Sequence, residues 1–118
     1  MSTFASLREG AVILRGASVG PGSVIGCFCV VATAVVVAHD GRMADFSFLS
    51  ANTVLGASLL GEEAFPGLGA VVAQGCSVGP DVVIGAQSFV ASDIESLSEA
   101  YGAPARVSRR RARGDSYL

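Results

Sequence analysis

The chain has no tryptophan and no lysine, only one histidine, and 7% aromatic residues in 118 positions. Charged residues make up 15%, every basic residue is arginine, and the net charge is −2. That balance argues neither for a nucleic-acid partner nor for an acidic ligand. Long apolar runs are also missing. Gly, Ser or a charge interrupts each one before the ~18 residues that a membrane span requires, so no membrane segment is expected. The first ten residues, MSTFASLREG, have neither the basic start nor the apolar stretch of a secretory signal. Cys27, Cys29 and Cys76 are odd in number and lack zinc-like spacing, so reduced thiols in a cytoplasmic protein are expected.

What is present is 51% hydrophobic, with 15 glycines and a mean hydropathy of +0.57. One domain is expected at this length. An aliphatic residue recurs every six positions from Leu7: Ile13, Val19, Ile25, Val31, Val37, Met43, Leu49 and Leu55. The register slips by one and resumes at Leu60, continuing through Pro66, Val72, Val78, Ile84 and Val90, with Pro66 the one departure. The second position of the hexad is Gly, Ala or Ser in thirteen of fifteen repeats, and the fifth, from Ala11 through Leu59 to Ile94, is never charged.

This pattern excludes other periodic structures. An amphipathic helix needs a period near 3.6 and would be weakened by so many glycines. Collagen needs Gly at every third position. An ordinary sandwich would place turn clusters ~8–12 residues apart. A period of six suits a coil of short strands in which positions one and five point inward. The small residue at position two is expected to let the chain turn at a corner. Three hexads make a triangular coil, and fifteen give five coils stacked in parallel, ~4.8 Å apart.

Several stretches carry a resemblance. V-G-P-G-S-V (19–24), I-G-C-F-C-V (25–30), V-G-P-D-V-V (78–83) and I-G-A-Q-S-F (84–89) resemble the hexapeptide-repeat, left-handed β-helix acyltransferases. The A-H-D at 38–40 looks like the catalytic His–acidic pair of the sialic-acid and bacillosamine O/N-acetyltransferase subfamily. Residues 49–91 resemble that subfamily's coenzyme A-binding coils, and D-I-E-S-L-S-E-A-Y-G-A-P-A-R (93–106) resembles its closing loop.

The resemblance implies an all-β, left-handed parallel β-helix with a short capping segment, assembled as a homotrimer. It also implies an acyl-CoA-dependent acyltransferase, with acetyl-CoA or another acyl-CoA as co-substrate and a small-molecule hydroxyl or amine as acceptor. His39 would be the general base, and Asp40 would raise its basicity or orient it. Ala57 would offer an oxyanion N–H, and Gly67, Gly69, Gly75 and Arg106 would contact the co-substrate. Neighbours on a strand point opposite ways, so the role of Asp40 requires a corner or a partner chain. Phe48 stands where relatives often carry a polar residue. Some similar trimers are zinc enzymes with three histidine ligands; one histidine per chain cannot supply that set, and no metal is expected.

The subfamily often carries an N-terminal nucleotide-binding domain that these residues do not include, so acceptor recognition is expected to come from another protein or to be missing. Residues 1–106 are read as the β-helix with its closing loop, and 107–118 as a mobile arginine-rich tail. A contrasting reading is a non-catalytic trimeric module or one subunit of a split enzyme.

Overall fold

Two-residue strands recur through the computed structural model, which describes residues 4–113 and 115. They wind into a three-sided rod. One face stacks β1 (Ser6–Leu7), β4 (Val24–Ile25), β7 (Arg42–Met43), β10 (Leu59–Leu60) and β13 (Ser77–Val78) in parallel. The second face carries β2 (Val12–Ile13), β5 (Val30–Val31) and β8 (Phe48–Leu49), then β11 (Phe65–Pro66) and β14 (Val83–Ile84). The third stacks β3 (Ser18–Val19), β6 (Val36–Val37), β9 (Val54–Leu55), β12 (Val71–Val72) and β15 (Phe89–Val90). Ser6 lies against Val24 and Val24 against Arg42, so residues 18 apart are neighbours in adjacent coils. The expected all-β parallel β-helix of five coils is the fold observed.

The hexad explains the core. Its first-position residues, from Val19 and Ile25 to Ile84 and Val90, are almost wholly buried, as are Cys29, Val35, Ala70 and Val82 at position five. At ~25 cal/mol per Å² of apolar surface removed from water, this column supplies most of the favourable free energy. Leu7, on the open first coil, is exposed instead. Polar residues at position five bond to corner backbone: Ser47 Oγ donates to Ala44 O at 2.7 Å, and Thr53 Oγ1 to Ser50 O at 2.8 Å.

Three expectations are corrected. Leu59, expected inward, is 44% exposed, and Ser58 is the buried residue. The single residue missing from the hexad is lost from the corner between Leu55 and Ser58, so Leu59 becomes the outward residue of β10, paired with Arg42. The corners also turn elsewhere than expected. Position four adopts positive φ, at Gly16, Gly22 and Gly69 and equally at Ala34, Asp40 and Asn52. The small residue at position two serves stacking: a Cβ on Gly20 would lie 2.9 Å from Ala38 C and His39 N in the next coil.

Pro66 lacks the N–H that a ladder needs. The second face divides there into β2-β5-β8 and β11-β14, although Phe48 N still donates to Ala64 O at 3.0 Å.

The third correction concerns the end of the rod. β16 (Ser98–Gly102) adds to β14, and β17 (Ala105–Arg110) returns antiparallel to it. Arg109 Nη2 meets Glu99 Oε2 at 2.6 Å, Arg110 meets Glu95 at 2.8 Å, and the Arg111 side chain, 1% exposed, pairs with Asp81 Oδ1 at 3.2 Å. The segment expected to be mobile from residue 107 is therefore folded as far as Arg111, because its arginines neutralise carboxylates at the rod's end. The rest of that expectation, at 114 and 116–118, lies outside the described residues.

Candidate active site

The corner between the third and first faces carries His39 and Asp40. Asp40 has φ 59°, a conformation that Asp tolerates better than most residues. This bend removes the objection that neighbours point apart: His39 Nδ1 lies 3.1 Å from Asp40 Oδ2. An ionised carboxylate only accepts, so Nδ1–H is the donor and Nε2 keeps its lone pair. Both side chains are exposed, at 59% and 69%. A proton acceptor thus faces outward, held from behind.

The corner is braced from the coil before it. Asp40 N donates to Pro21 O at 2.9 Å. From inside the rod the buried Ser23 Oγ donates to Ala38 O at 2.8 Å and accepts from Gly41 N at 3.1 Å. One hydroxyl therefore closes the turn on both sides of His39 and Asp40. Residues 20–23 are a contribution that the repeat pattern did not single out. Stacking by 18 residues would have found them.

The next coil places Ala57 on the same corner. Ala38 N donates to Leu55 O and Arg42 N to Ser58 O, both at 2.9 Å, which brackets the shortened turn. Ala57 is half-buried, and its N–H has no partner among the described residues. Its carbonyl accepts from Gly75 N at 2.9 Å, so Gly75 continues the column. Gly75 is exposed, and a Cβ there would meet nothing within 4 Å. His39, Asp40, Ala57 and Gly75 therefore form one line along one edge.

Gly67 and Gly69 lie on a different corner, between the second and third faces, where Gly69 N donates to Ala51 O at 3.1 Å. Stacking accounts for Gly67, since a Cβ there would come within 2.9 Å of Ala86 N and Ile84 O. An open groove of about 420 Å³ runs beside it, lined in part by Ser50, Phe65, Leu68, Ala86 and Tyr101. Arg106 is exposed on β17 opposite Tyr101. One chain does not bring these three residues to His39.

The two buried thiols are poor nucleophiles. Burial, and then the Asp93 carboxylate, pushes the Cys76 thiol up, which keeps it protonated. Cys29 is buried, with Sγ 3.0 Å from Ala44 O. No cluster of three His, Cys, Asp or Glu suited to a metal occurs among the described residues. None of their helices is long and apolar enough to cross a membrane.

No family model and no curated protein sequence matches the chain. Solved structures do. GDP-perosamine N-acetyltransferase from Caulobacter crescentus, as a histidine-to-alanine variant in complex with CoA and GDP-perosamine, is 28% identical with a TM-score of 0.80, over 91% of this chain and 54% of that one. The acetyltransferase domain of PglB from Neisseria gonorrhoeae FA1090, in complex with acetyl coenzyme A, is 30% identical with a TM-score of 0.79, over 90% of this chain and 55% of that one. Galactoside acetyltransferase in complex with coenzyme A has a TM-score of 0.84 over 89% of this chain and 64% of that one; at 20% identity it speaks for the fold alone. The chain spans about half the length of the first two. Its structural neighbours are hexapeptide-repeat acetyltransferases, and it shares their β-helix fold.

Proposed function

We propose that the chain is an acyl-CoA-dependent acetyltransferase acting on an amine or hydroxyl of a sugar or other small metabolite, with His39 as the general base. The observation that carries this reading is the outward Nε2 of an imidazole whose Nδ1 is held by Asp40. That nitrogen accepts the proton of the acceptor group as it attacks the thioester carbonyl, and returns it to the coenzyme A sulfur as the C–S bond breaks and the free thiol leaves. Asp40 fixes the ring. The Ala57 N–H, on the next coil at the same corner, is the donor for the developing oxyanion.

The co-substrate fits the surface on two grounds. Gly75 leaves the edge beside Ala57 open to an extended chain, and small residues line the column. Gly67, Gly69 and Arg106 lie away from that edge, so they serve the same co-substrate only from a neighbouring copy. The site is therefore one between chains, in the homotrimer that the resemblance implies. Self-association has a physical basis. The outward residues of the second face are Val12, Val30, Phe48 and Phe65, and those of the third are Ser18, Val36, Val54, Val71 and Phe89. Val12 and Val36 are 44% and 43% exposed. Two unlike apolar surfaces on one rod favour a cyclic ring over a twofold dimer.

The test is release of free thiol from acetyl-CoA in the presence of pooled sugar amines and alcohols. Transfer by the wild type, lost by about a hundredfold or more in His39→Ala with the fold retained, supports the reading. Transfer that survives His39→Ala overturns the base. Absence of acetyl-CoA binding by calorimetry favours the non-catalytic module.

A further inference from the structure

Gly22 lies in the coil before the His39 corner, directly against Asp40. A Cβ added at Gly22 would overlap Asp40 Oδ1 and stand 3.2 Å from its Cγ. The backbone conformation alone does not set Gly22 apart. Gly16 shares it, with φ 75° against 76°, yet its nearest neighbour is backbone, Ala34 N at 3.7 Å. What distinguishes Gly22 is the carboxylate resting on it.

We propose that Gly22 is a positioning residue for the His39–Asp40 pair. The bare α-carbon leaves room for the Asp40 carboxylate to lie back over the preceding coil, in the observed orientation with Oδ2 3.1 Å from His39 Nδ1. A side chain at position 22 turns that carboxylate out to solvent, where Asp40 is already largely exposed. The imidazole then has nothing holding its proton on Nδ1. No other carboxylate stands in the packed segments, since residues 20–22 and 56–58 read Gly-Pro-Gly and Gly-Ala-Ser, and the buried Ser58 hydroxyl bonds to Gly56 O at 3.0 Å. Arg42, exposed on β7, is a cation and cannot accept from Nδ1. The catalytic consequence rests on the base role proposed for His39; the geometric one does not.

The chain has one histidine, so ring-nitrogen NMR reports this site alone. In the neutral ring of the wild type the Nδ1–H tautomer is expected to predominate. Gly22→Ala should make it the minority form, while Gly16→Ala, with the same backbone strain, should leave it dominant. Asp40→Ala should give the Gly22→Ala spectrum, and combining the two changes should add nothing further. Should Gly22→Ala fail to fold, Gly22→Asn keeps the overlap with a residue that tolerates this backbone, as Asn52 does here.

A wild-type tautomer ratio in Gly22→Ala or Gly22→Asn overturns the proposal, as does an equal loss in Gly16→Ala. With an active enzyme, Gly22→Ala should also lower kcat about tenfold or more at unchanged KM for acetyl-CoA. A tautomer shift in a protein that shows no transfer at all would refute the proposed function and leave the positioning role standing.

Discussion

At the scale of the residue, the proposed function rests on His39 and what holds it. Its partner was visible in the sequence as an adjacent carboxylate, but not the way the two could meet. Asp, like Asn, enters the left-handed region at little cost, and nothing in A-H-D alone says that it does so here. The brace was hidden for a different reason. V-G-P-G-S-V reads as one more repeat until it is set 18 residues below A-H-D. Ser23→Ala should therefore leave the core packed while freeing the buried Gly41 N–H. We expect a loss of about 1–3 kcal/mol in chemical denaturation and a lower kcat.

Glu99 gives the residue scale a pH signature. The Arg109 hydrogen bond, then that from Tyr101, holds its carboxyl below the ordinary carboxylate value. A group lowered in this way stabilises the fold above its unfolded-state value, about 4.3, and that contribution is lost as pH falls through the lower, folded value. Protection factors of the β17 amides, taken against intrinsic exchange at each pH, should fall in acid below that point. Glu99→Gln should exchange faster at neutral pH and lose the acid dependence.

At the scale of the element, the repeat specified the strands and the inward columns because both follow from a period of six. It could not place the missing residue. Leu55 and Leu60 fix that one position is absent, and both Ser58 and Leu59 are uncharged, so either could have faced inward. The structure puts the loss in the corner next to His39. Inserting one alanine between Ala57 and Ser58 restores the hexad. The expected result is an intact β-helix by circular dichroism, with transfer lost because the Ala57 N–H is displaced.

The cap shows the same limit. Arg109, Arg110 and Arg111 read as a solvated tail because their partners, Glu99, Glu95 and Asp81, lie 10, 15 and 30 residues away. Arg111 is buried, so Asp81→Ala leaves a charge desolvated with one partner fewer. A loss of about 3 kcal/mol or more is expected, read as a lower Tm. A loss within ~0.5 kcal/mol, usual for an exposed site, would show the pair to be superficial.

At the scale of the whole molecule, the arithmetic of the coil decides which residues can act together. Residues 18 apart share a corner, or 17 across the slip. His39, Ala57 and Gly75 obey that rule, and Gly67 and Gly69 do not. The division was legible in the numbering, though a resemblance to coenzyme A-binding coils does not reveal it. The site proposed here therefore needs neighbours. Val12→Glu, on an apolar face away from the His39 corner and 44% exposed, should shift sedimentation from the proposed trimer to monomer, with transfer falling in parallel. Full transfer by a monomer would refute a site between chains.

The most direct test of the account is thiol release from acetyl-CoA by the wild type and by His39→Ala at matched fold and assembly. Acceptor-dependent release is expected from the first and a loss of about a hundredfold or more in the second. Equal rates in the two would contradict it.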